Sequence, residues 1–126
     1  MTAASLAVQQ ALRTVLNIPG LPVFDAVPVE AAAPYLTLGP DVTTDWSTKT
    51  GVGHEHRVQL TVWDAGPGAA RTKAWLGEVE ARVRGLAGTY AGHRIAGVVF
   101  LRSFVTRDPE GWTQGIAEFR VRSEQL

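Results

Sequence analysis

FDAVPVEAAAPYLTLGPDVTTDWSTKTGVGHEHRVQLTVWD, residues Phe24 to Asp64, is the stretch that decides the fold. Its end, Arg57 to Asp64, alternates with the two-residue period of a strand. Val58, Leu60 and Val62 fall on one face, Arg57, Gln59 and Thr61 on the other, and Trp63 closes the polar face. Tyr35 to Leu38 alternates more weakly and reads as a strand running on toward Thr44. Val23 to Val27 reads as a short strand, followed by an alanine-rich connection bracketed by Pro28 and Pro34. Between the second and third strands lies Asp45 to Gly53, a segment with the polarity of a solvated loop that nevertheless carries Trp46. A large aromatic in such surroundings either folds back onto the sheet edge or anchors a contact with a partner.

Working outward, Ser5 to Asn17 reads as a helix with Val8, Leu12, Val15 and Leu16 on one stripe. Pro19 and Gly20 end it, because proline excludes the helical conformation from the residue before it. After the break at Gly66-Pro67-Gly68, Ala69 to Leu86 carries Leu76, Val79, Val83 and Leu86 at helical spacing. Gly77 sits inside this helix at a cost of about 1 kcal/mol relative to alanine, which implies either close approach of a neighbour or tolerated weakness. Arg94 to Arg107 and Gly111 to Ser123 read as a hairpin around Asp108-Pro109-Glu110-Gly111, where proline presets φ and glycine permits the left-handed turn. In its second strand Ala117, Phe119 and Val121 point inward while Glu118, Arg120 and Arg122 point out. The order α-β-β-β-α-β-β predicts a single α+β domain over residues 1–126: a mainly antiparallel sheet of about five strands with two helices packed on one face.

Composition narrows the function. A 126-residue chain that is 45% hydrophobic has the makings of an ordinary core. Twelve basic and twelve acidic residues cancel, which argues against a protein held to nucleic acid through phosphates. With no cysteine there is no disulfide framework, thiolate metal site or cysteine nucleophile, and an intracellular setting is permitted. The N-terminal segment lacks the basic and apolar regions of a signal peptide and the length of a membrane span, so the chain reads as soluble.

Candidate chemistry is sparse. His54 and His56 share a face of an extended strand, a spacing able to ligate a metal, but the only other histidine is the distant His93, and a site needs three or four ligands. Ser47 to Gly53 has its glycines after the lysine and leads into a strand, the reverse of a phosphate loop. No serine lies in a nucleophile elbow, and the pairs Asp41/Asp45 and Asp108/Glu110 sit in turn-like segments where aspartate bonds local backbone. No catalytic residue, cofactor or metal is therefore assigned. Arg120 and Arg122, with Arg102, line one face of the C-terminal hairpin, a row that is usually a solvated face or an ion-pairing interface and less often a nucleic-acid track. Trp63 and Trp75 read as core or rim, whereas Trp46 and Trp112 lie at loop tips, free either to fold back or to anchor a protein contact.

Several pieces, in this order, resemble the tail terminator, or tail-completion, family of long-tailed phages and gene transfer agents. They are Phe24-Asp25-Ala26-Val27-Pro28, Pro34 to Gly39, Asp45-Trp46-Ser47-Thr48-Lys49-Thr50 with Gly53 to His56, Val62-Trp63, and Asp108-Pro109-Glu110-Gly111-Trp112. The resemblance implies a structural job without catalysis. Copies of the chain close into a ring, typically a hexamer, that caps the tail-tube protein, stops its polymerisation and docks a head-side connector or stopper protein. DNA passes through the lumen without specific binding, and no membrane is involved. The implied place is the neck of the virion tail, after assembly in the bacterial cytoplasm. From loop chemistry alone, Asp45, Trp46, Ser47, Thr48, Lys49 and Thr50 form a tube- or connector-facing arm, and the C-terminal hairpin with Trp112, Arg120 and Arg122 faces a neighbouring subunit. The competing readings are a small metal- or ligand-binding enzyme domain using His54 and His56, or a related head–tail connector.

Overall fold

The computed structural model describes residues 2–126. Its elements are α1 (Ala4–Val15), β1 (Val23–Phe24), β2 (Tyr35–Asp45), β3 (Gly53–Asp64), α2 (Ala70–Arg84), β4 (Thr89–Tyr90), β5 (His93–Arg107) and β6 (Thr113–Gln125). The strands form one six-stranded sheet in the order β1-β2-β3-β6-β5-β4. All neighbours are antiparallel except β1 and β2, which run parallel.

The α+β class holds, and two details of the expectation change. The sheet has six strands, because Thr89 and Tyr90 pair with Arg94 and His93. The sheet is mixed, and its first strand ends at Phe24 instead of Val27, since only Val23 and Phe24 find partners on β2. The connection expected over Asp45 to Gly53 is where the sequence put it: β2 runs to Asp45, β3 starts at Gly53, and an isolated Thr48–Gly51 bridge lies near its tip.

One face of the sheet builds the core. Val58, Leu60 and Val62 of β3 and Ala117, Phe119 and Val121 of β6 are buried there, joined by Leu36 of β2. α1 buries Ala4, Ala7, Val8, Ala11 and Leu12, the three-and-four spacing of a helix stripe, with alanines that let it lie close. α2 buries Thr72, Leu76, Val79 and Val83 at the same kind of spacing. On its outer side, Glu78–Arg82 and Glu80–Arg84 are i,i+4 ion pairs, each worth a few tenths of a kcal/mol.

Close approach of α2 to the sheet falls at Gly115, not at Gly77. A Cβ on Gly115 would stand 2.6 Å from Thr72 Cγ2 and 2.9 Å from Leu76 Cδ1. At Gly77 an added Cβ would meet nothing within 4 Å, so no neighbour within this chain approaches it, and of the two readings offered for it close approach inside the chain is set aside. The turn into α2 is clamped by Asp64, whose buried carboxylate accepts from the Ala65 and Gly66 amides (2.8 and 3.2 Å) and from Arg71 Nε (2.7 Å) and Nη2. The Arg71 guanidinium holds this carboxyl below its usual range.

Candidate interaction surface

The face of the sheet opposite the helices is where the candidate residues meet solvent. Register sorts them. Val58 pairs with Phe119 on the inner face, so the adjacent pairs Arg57–Arg120 and Glu55–Arg122 lie on the outer one. Arg122 Nε donates to Glu55 Oε1 at 3.0 Å, and Arg120 Nε lies 3.8 Å from the same oxygen. Farther along, Arg102 grips Glu118 through two bonds of 2.9 and 3.2 Å, and Arg94 pairs with Glu124. Arg57 has no ion pair among the described residues, so the face keeps a local positive excess although the chain as a whole is neutral.

At the Gly53 end, the hairpin tip is organised by its own hydrogen bonds. Trp46 N–H donates to Gly53 O (2.8 Å), Ser47 Oγ donates to Asp45 Oδ1 (2.6 Å), and the Gly53 amide donates to Ser47 Oγ (3.2 Å). The Ser47 hydroxyl holds the Asp45 carboxyl below its ordinary range. Trp46 folds back half-buried: the Arg122 guanidinium lies 4.9 Å from its ring centre, a cation–π contact. Gly53 makes that fold-back possible, since a Cβ there would come within 2.7 Å of Trp46 O and 3.1 Å of its ring. Thr48, Lys49 and Thr50 remain exposed at the tip. The fold thus brings Asp45–Thr50, Arg120 and Arg122 together.

Trp112 is not part of that group. It lies past the Asp64–Thr113 pair at the other end of β3, a separation of roughly 35 Å at the rise of an extended strand. There it meets Trp63 (6.2 Å between ring centres, 84°) and Tyr35 (6.3 Å, 66°). Tyr35 stacks on Trp63 (6.4 Å, 24°) and meets Phe24 edge-on at 5.8 Å. The Trp63 indole N–H donates to Thr37 Oγ1 at 2.9 Å, which fixes its ring. These four aromatics are all half-buried. Taken separately, Phe24, Tyr35 and Trp63 carry no site signal in the sequence. The available clue was parity: Leu36 and Val62 face inward, so the flanking Tyr35 and Trp63 must face outward as a cross-strand pair.

His56 and His93 are tied into the fold by hydrogen bonds. His56 is fully buried, with Nδ1 3.1 Å from Thr43 Oγ1 and Nε2 2.8 Å from Ser123 Oγ. Both ring nitrogens are engaged by hydroxyls, which leaves no lone pair aimed at an ion. Burial, helped by the nearby His54, pushes its pKa down to about 4. His93 Nε2 lies 2.9 Å from Thr2 O. No group of three or more metal-ligating side chains forms among the described residues.

Comparison with known proteins matches this architecture over nearly its whole length. The model of the family described as tail completion protein gp17 matches residues 3–124. A chain in the solved virion of a native gene transfer agent particle is 29% identical, with a TM-score of 0.87 over 98% of this chain and 99% of that one. No curated protein matches the sequence.

Proposed function

This chain belongs to the tail completion protein gp17 family, and from that premise we propose that it closes into a ring of six copies capping the last layer of tail-tube protein. Family membership makes it a structural tail protein and not an enzyme. In this reading the ring ends tube polymerisation and gives a head-side connector or stopper protein its docking surface. Its place is the neck of the tail, where DNA passes through the lumen without specific binding, and it assembles in the bacterial cytoplasm. The observation that supports the reading best is the agreement in fold with a chain of a gene transfer agent virion, end to end and with appreciable sequence identity.

The sheet's edges fit a ring. β4 covers only His93 and Arg94 of the fifteen-residue β5, and β1 covers only Leu36 and Thr37 of β2. Two different open edges on opposite sides of one sheet are the elements of a head-to-tail contact, which closes when the rotation between copies allows. The hairpin tip Asp45–Thr50, backed by Arg120 and Arg122, is the arm that meets the tube or connector, and the Trp112 end meets a neighbouring subunit. Polymerising purified tail-tube protein with and without the chain tests the proposal. Tubes should stop growing when the chain is added and carry it at one end; unaltered growth, with the chain absent from tube ends, would contradict it.

A further inference from the structure

A groove of ≈ 450 Å³ runs between α2 and the open edge of β5, lined by Lys73, Leu76, Gly77, Ser103 and Val105 among others. Gly77 weakens the helix that carries it, and an added Cβ there would touch nothing within 4 Å in this chain. Its lack of a side chain keeps the groove open. The groove's charge is also uncommitted: Glu80 is held by Arg84, while Lys73 forms no ion pair among the described residues.

On the opposite edge of the sheet, the β1–β2 connection makes a turn in which Ala31 N–H donates to Pro28 O at 3.0 Å. That turn holds Val29 and Glu30 at its tip. Val29 is 102% exposed, an isolated aliphatic with no cover, and Glu30 has no ion pair among the described residues. Turn and groove stand beyond opposite ends of one row of paired residues. Register carries a single row across the sheet from Phe24 through Thr37, Thr61 and Ile116 to Phe104. The turn follows Phe24 at one end of that row, and the groove surrounds Phe104 at the other.

We infer that the Pro28–Ala31 turn of one copy seats in the α2–β5 groove of the next, with Val29 against Leu76, Gly77 and Val105 and Glu30 against Lys73. The inference rests on the ring reading and gives that ring its interface. An exposed aliphatic meets the Leu76, Gly77 and Val105 part of a mixed groove, and an acid without an ion pair meets a base without one.

The absence of cysteine from the chain allows a direct test. V29C and S103C, combined in one chain and oxidised on capped tubes, should give a ladder of covalently linked copies, and neither variant alone should. Capped tubes with copies grouped at the end but no ladder would overturn this interface and leave the ring standing. Single copies at tube ends would overturn the ring, and this interface with it. G77L separates docking from folding: the isolated chain should melt about 4 °C higher, because a glycine has left a helix interior, while ring formation falls at least ~10-fold. Unchanged ring formation by G77L would contradict the inference. E30K and K73E should each weaken the ring and together restore it; failure of the pair to restore what each single change removed would also count against it.

Discussion

The two faces of the sheet divide the work. Toward the helices, Leu60, Val62, Phe119 and Val121 are at most 1% exposed and touch only their own chain. Toward solvent, the same strands present Arg57, Arg120, Arg122 and a half-buried aromatic group. Because side chains alternate across a strand, each neighbouring pair of residues places one in the core and one on the solvent face, the face proposed here for contact. Substitutions one position apart should therefore have different consequences, and the predictions below probe that division in order of effect.

Leu60→Asp places an unpaired carboxylate on the inner face and should cost more than ~4 kcal/mol, leaving an unfolded chain in circular dichroism. Normal melting of this variant would show that the face is not the core. Asp64→Ala leaves the Ala65 and Gly66 amides and Arg71 without their acceptor, and should lower stability by ~3 kcal/mol in a urea titration.

Acid should act on His56 next. Its folded pKa, about 4, lies below the ordinary 6.5, so the unfolded chain takes up the proton first. The contribution is fully present above pH 6.5, declines as pH falls below that value, and is lost by pH 4, a total of ~3 kcal/mol. The Asp64 carboxyl, held low by Arg71, adds its own loss only below its usual value of 3.8. Urea midpoints measured between pH 7 and 4 should show the histidine decline, and His56→Gln should flatten it. On the outer face, Trp46→Ala should change stability by less than ~1 kcal/mol, since the ring is half-buried and meets Arg122 at the surface. Tube capping by the same variant should weaken at least ~10-fold; large destabilisation with capping intact would place Trp46 in the core.

The sequence made the inner face legible because burial writes a period into it. Val58-Leu60-Val62, Ala117-Phe119-Val121 and the stripe of α2 all fell where the pattern put them. The turn at Asp108–Gly111 was legible through local chemistry, and Gly111 does take a φ of 98°. What the pattern missed depends on partners distant in sequence. Thr89–Tyr90 is a strand only because His93 and Arg94 lie beside it, and Val23–Phe24 is one only where it runs beside Leu36 and Thr37. The aromatic group draws on separate segments that only the register of β2, β3 and the last hairpin brings together. Of the candidate site, Asp45–Thr50 and the arginines of β6 do converge, through antiparallel pairing of β3 with β6. Trp112 stands apart for the same reason: it lies at the far end of that pairing.

The account depends most on copies of this chain meeting one another at the end of a tube. Counting them there, by electron microscopy of capped tubes averaged about the tube axis, tests it most directly. Six copies in a closed ring are predicted; a lone copy, or an open filament running on past the tube end, would contradict it.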